Sequence, residues 1–127
     1  MAKKPKDRET LEQLLASCSD TLFPAELGQA SVSIDSRDVD GDTPLHVMVW
    51  RENIYGVSML IEAGADVNAV GDMSETPLHV AVKLGNLAII DTLLKVGANT
   101  SMISEFGETP MGLAAKAGGE VLKCVSK

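Results

Sequence analysis

The chain has 127 residues, the length of one ordinary domain, and its 45% hydrophobic and 23% charged residues match a globular protein. A net charge of −7 disfavours contact with phosphate backbones and so nucleic-acid binding, while it accommodates a basic protein partner; charge of this size also serves solubility alone. The four aromatic residues, Phe23, Trp50, Tyr55 and Phe106, leave a core of Leu, Val, Ile, Met and Ala, which suits small packed helices better than a sandwich or barrel.

Lys3, Lys4, Lys6 and Arg8 stand against Asp7 and Glu9 at the start of the chain. Residues 1–8 read as a disordered basic tail. No apolar run follows them, so they do not form a secretory signal. No stretch approaches the roughly 20 apolar residues of a membrane span. Cys18 and Cys124 lack metal-ligand spacing, which predicts a reduced, cytoplasmic chain. Leu11, Leu14, Leu15 and Cys18 then form an apolar stripe at helical spacing. Phe23-Pro24-Ala25-Glu26-Leu27 predicts the start of a short second helix.

From there the chain repeats itself. Thr43-Pro44-Leu45-His46 returns as Thr76-Pro77-Leu78-His79 and again as Thr109-Pro110-Met111-Gly112, each step being 33 residues. Gly64-Ala65-Asp66-Val67-Asn68 returns at the same period as Gly97-Ala98-Asn99-Thr100-Ser101. Thr43 and Thr76 suit a helix N-cap, where a hydroxyl satisfies a free N–H. Pro44 and Pro77 follow at the first helical position, where a missing N–H costs nothing. Leu45, Met48 and Val49 fall at helical spacing, as do Val57, Leu60 and Ile61. Gly64 and Gly97 suit left-handed helix ends. Each unit is thus a helix, a turn, a second helix and an extended loop, and one such unit cannot bury its own apolar face.

At these motifs, over about residues 31–127, the chain resembles the ankyrin-repeat family. The resemblance implies an all-α ankyrin-repeat solenoid as a single domain over 9–127. Its expected parts are a degenerate N-terminal cap at 9–34, near-complete repeats at 35–67 and 68–100, and a truncated C-terminal cap at 101–127. Ser31-Val32-Ser33-Ile34-Asp35 departs from the family's loop motif. Gly118-Gly119-Glu120-Val121-Leu122 reads as irregular, with a shortened last helix that frays first.

No enzyme motif is present: there is no G-x-S-x-G, no H-E-x-x-H and no G-x-x-x-x-G-K. Asp40-Gly41-Asp42 lacks the later glutamate of a calcium loop and reads as a turn. His46 and His79 have no third ligand beside them, and in the family this histidine makes hydrogen bonds between repeats. No metal, cofactor or catalysis is expected; a metal-dependent enzyme using His46 and His79 is the remote alternative. Asn68 takes the family position that holds the loop.

The resemblance also implies a concave binding face of loop tips and first-helix positions. Carried over, it comprises Arg37, Val39, Asp40, Asp42, Trp50 and Arg51, then Val70, Asp72, Met73, Glu75, Lys83 and Leu84, then Ile103, Glu105, Phe106, Glu108, Lys116 and Ala117. Trp50, Val70, Met73, Ile103 and Phe106 are apolar at positions expected to face water, as interface anchors are; packing upon one another is the plainer account of any single one. Asp42, Glu75 and Glu108 are expected to form an acidic row, with Asp40, Asp72 and Glu105 in a second; acids there also favour the helix dipole. The function this implies is non-catalytic binding of a protein with a basic, partly apolar surface. Small acidic chains of this kind look like inhibitors or immunity proteins for a toxin or nuclease. The chain is expected to be a monomer or weak oligomer, and the alternative is a structural subunit that stacks end to end around Leu113 and Val121.

Overall fold

The computed structural model describes residues 10–18, 34, 36–38 and 40–126. The expected tail at 1–8 and most of the expected cap, including the helix at Phe23, lie outside them. Helix α1 spans Leu11–Ser17. Three helix pairs follow at the 33-residue period: α2 (Pro44–Trp50) with α3 (Ile54–Glu62), α4 (Pro77–Leu84) with α5 (Leu87–Lys95), and α6 (Pro110–Ala117) with α7 (Gly119–Val125). A 3-10 turn at Asp72–Ser74 interrupts the loop before α4, and no strand occurs among the described residues.

Each first helix starts as its local chemistry dictates. The hydroxyls of Thr43, Thr76 and Thr109 accept from the backbone N–H three residues on, and Pro44, Pro77 and Pro110 occupy the first turn. Asn53 and Asn86 cap the second helices in the same way. Gly118 starts α7 with no side-chain cap, yet Gly119–Val125 is helical, which corrects the irregular reading of this stretch.

Packing joins the first helices in one row, α2 to α4 to α6, and the second helices in another, α3 to α5 to α7; α1 packs on α3. The core runs between the rows, through Leu45, Met48, Val57, Leu60, Leu78, Ala81, Ile89, Ile90 and Leu93, with Leu14 and Cys18 closing one end. Interior α4 shows what stacking achieves: Leu78, His79 and Val82 are buried. One period later, Met111, Gly112 and Ala115 are exposed on α6. Gly112 and Ala115 stand in place of His79 and Val82, which limits the surface left bare, while Met111 in place of Leu78 stays 36% exposed.

The second-helix row shows a comparable loss. Leu60 and Leu93 are fully buried, and Ser126 takes their place one period on. A groove of about 480 Å³ opens there, lined by Leu94, Met111 and Val125 among others. Ser126→Leu should bury part of an aliphatic side chain in it and raise the unfolding free energy by about 1 kcal/mol; unchanged urea denaturation would refute this.

The loops before the first helices also hold register. Gly41 (φ 90°), Ser74 (φ 58°) and Gly107 (φ 73°) occupy one repeat position in the left-handed region, so a serine stands where the sister loops have glycine. Its Cβ is disfavoured there by about 1–2 kcal/mol. Ser74→Gly is therefore expected to stabilise the fold by about 1 kcal/mol in urea denaturation, less the greater flexibility glycine gives the unfolded chain. A loss of stability would count against this strain.

Candidate functional site: a row of linked loop tips

The three loops sit side by side because specific bonds connect them. His46 extends from the first turn of α2 into the next loop. Its Nδ1 accepts from the Thr43 N–H (3.2 Å), and its Nε2 donates to the Glu75 carbonyl (3.0 Å). His79 repeats both contacts with the Thr76 N–H (3.0 Å) and the Glu108 carbonyl (3.0 Å). Both nitrogens of each ring are thus occupied, and neither histidine has a lone pair left for a metal in this arrangement. Among the described residues no cluster of His, Cys, Asp and Glu could hold a metal ion.

Nearer the tips, the Arg37 guanidinium donates to the Gly41 carbonyl (2.9 Å) and across to the Val70 carbonyl (2.8 Å). The Asp42 carboxylate accepts from the Asp72 N–H (2.9 Å), and the Glu105 N–H donates to the Met73 carbonyl (3.0 Å). Gly71 is required at this crossing: a Cβ there would collide with the Asp42 carboxylate and lie 2.8 Å from His46 Nε2. Farther along, Asn68 Oδ1 accepts from the Asn99 N–H (2.8 Å), the loop-holding role its motif implies.

The expected site residues fall into two groups. One group holds the fold. Glu75 is only 2% exposed and forms an ion pair with Lys83. Glu108 pairs with Lys116 at 2.7 Å, and that hydrogen bond, chiefly, keeps its carboxyl below the usual range. Arg51 donates to the Ser17 hydroxyl (3.0 Å) and carbonyl (2.9 Å), linking α2 to α1. Arg37 and Asp42 bridge the loops as above. The expected exposed row of Asp42, Glu75 and Glu108 is therefore corrected: Glu75 is buried, Glu108 is neutralised, and Asp42 is half-buried against the next loop. The cause is the eight-residue interval from acid to lysine, 75 to 83 and 108 to 116, which returns each lysine onto its own loop.

The second group faces solvent. Ile103 is 68% exposed, Phe106 61% and Trp50 49%, with Val70 exposed and Met73 half-buried. Asp40, Asp72 and Glu105 are exposed between them. Asp40 has its pKa raised, first by the charge of Asp72, then by desolvation and by Asp38 and Asp42. Trp50 occupies the position of Lys83 and Lys116 in the later pairs, so the first pair presents an indole where the others hold an ion pair. Leu84, one step past Lys83, is half-buried, and Ala117 is exposed; Val39 lies outside the described residues. Exposed Ile54, Leu87 and Val96 on the second-helix row were not among the expected site residues. Ile54 and Leu87 share a repeat position, which was the available signal.

A family model described as ankyrin repeats (3 copies) matches residues 1–104, and the chain belongs to that family. The third helix pair lies beyond the matched residues and repeats their architecture. Proteins of this family are generally protein–protein interaction modules and typically non-catalytic. No curated protein matches the chain. Among the described residues, no helix is long and apolar enough to cross a membrane.

Burial lowers the His46 pKa, and the geometry agrees, because a proton on Nδ1 would face the Thr43 N–H. In the unfolded chain the imidazole titrates near its ordinary value of about 6.5. Below that value the unfolded state takes up the proton first, so stability falls as pH drops through the window between the unfolded and the lower folded value. Above it, the contribution is complete. Thermal unfolding between pH 5 and pH 8 should show this acid-side loss in the natural protein and a shallower one in His46→Gln. Identical slopes would remove His46 as the cause.

Proposed function

We propose that this protein is a non-catalytic binding module whose loop-tip face engages a protein with a basic, partly apolar surface. The observation that carries the reading is a contrast within the third unit. Its α6 flank has Gly112 and Ala115 in place of His79 and Val82 and leaves Met111 36% exposed, yet the adjoining loop carries Ile103 and Phe106 at 68% and 61%, the most exposed of the large apolar side chains among the described residues. Bare apolar surface is reduced where nothing packs and retained at the tips, as in an interface. Asp40, Asp72 and Glu105 beside them favour a cationic partner and disfavour nucleic acid.

An inhibitor covering the basic site of a toxin or nuclease, as an immunity protein does, is the form this chemistry fits most directly. The same flank of α6 weighs against end-to-end assembly, since Gly112 and Ala115 beside Met111 offer a second copy less than His79 and Val82 would, and a monomer is the reading we favour. The cytoplasm is the compartment proposed, on a sequence with two cysteines at no metal-ligand spacing.

The test is affinity capture with the natural chain and with Trp50→Ala and Phe106→Ala. One specific protein should be recovered, more strongly at low than at moderate salt, and each variant should bind it at least tenfold more weakly, as interface anchors do. Circular dichroism should be unchanged, because both side chains are exposed. Normal binding by both variants would place the interface elsewhere.

A further inference from the structure

The second and third helix pairs each neutralise the acid before their first helix with a lysine eight residues on. Lys83 pairs with Glu75, and Lys116 pairs with Glu108 at 2.7 Å. The first unit has the acid without the lysine. Asp42 stands at the position of Glu75 and Glu108, and Trp50 at that of Lys83 and Lys116. Among the described residues no lysine or arginine is paired with Asp42. The two guanidiniums of this unit are used elsewhere, Arg37 on the Gly41 and Val70 carbonyls and Arg51 on Ser17. One Asp42 carboxylate oxygen accepts from the Asp72 N–H (2.9 Å), and the other has no donor among the described residues. Trp50 is 49% exposed. The two sister ion pairs show that a side chain at this helix position reaches that acid. The repeat therefore sets Trp50 and Asp42 beside the place that an ammonium fills in the other two units.

We infer that the first unit takes its missing ammonium from the partner: a lysine side chain of the bound protein lays its stem along Trp50 and sets its ammonium on Asp42. This rests on the loop-tip reading above and names the residue that the first unit recognises. The chain itself selects the occupant, because two of its three helix pairs hold that same group at this position. The indole suits it as well as the carboxylate does: its face attracts a cation, and its apolar surface packs the methylene stem. A lysine in place of Trp50 would close the position from within, as Lys83 and Lys116 do in their own units. Aspartate is one methylene shorter than glutamate, and a lysine not tethered to α2 can approach it from solvent. Asp40 and Asp72, both exposed, add negative charge around the position.

The probe is Nα-acetyl-lysine methylamide, titrated into the full chain and followed by the chemical shifts of the Trp50 indole N–H and the Asp42 backbone N–H. Both should move together and saturate. The norleucine counterpart, which has the stem without the ammonium, should bind at least about threefold more weakly, as expected for a partly solvated ion pair and cation–π contact. Asp42→Asn keeps an acceptor for the Asp72 N–H, so the loops stay linked, and it should weaken the lysine probe by a similar factor. Trp50→Lys supplies a tethered ammonium and should abolish the response at Asp42. Equal shifts with both probes, shifts confined to other residues, or no shift would overturn the lysine site. A response that emerges only after Lys3, Lys4, Lys6 and Arg8 are all changed to Gln would assign the position to the chain's own first residues and overturn it too. If the probe fails while Trp50→Ala and Phe106→Ala still weaken capture of the partner, the loop-tip reading stands without the lysine site. If capture is also indifferent to both variants, the two fall together.

Discussion

The whole arrangement depends on the reach of one imidazole. His46 caps its own helix with one nitrogen and holds the next loop with the other, and His79 does the same one unit later. Helix initiation and unit spacing are thereby set by one side chain. A buried carbonyl left without its donor costs about 1–3 kcal/mol, so shifting one unit against its neighbour would break bonds as well as packing. At the third unit glycine stands in the histidine's place, and that connection is not made.

That economy explains what could be read in advance. Thr-Pro-Leu-His at a 33-residue step encodes caps, helix starts and the link to the next unit in contiguous residues, so the helix pairs were legible from the sequence. Gly118-Gly119 misled, because glycine is a poor helix residue by propensity and α7 is held instead by packing on α5 and α6.

The binding face was legible only in part. Ile103, Phe106 and Trp50 could be singled out because the motif has no use for them. The acids could not be sorted by type. Glu75 and Asp72 are three residues apart and chemically alike, yet one is buried against Lys83 and the other faces water. Their difference is set by the 3-10 turn, which Asp72 opens and Glu75 follows, a property of three-dimensional register. Arg37 and Asp42 likewise looked like surface charge and proved to be cross-loop ties, visible only once the neighbouring backbone was in place.

Those ties bear on the thermodynamics of association. Fixing a residue's backbone costs about 1–2 kcal/mol in conformational entropy, and here much of that loss is incurred when the loops bond to one another during folding. A ligand meeting the tips has little receptor backbone left to order, so the entropic penalty of binding falls mainly on the ligand. Affinity at this face should then respond more to stiffening the ligand than to further stiffening of the protein.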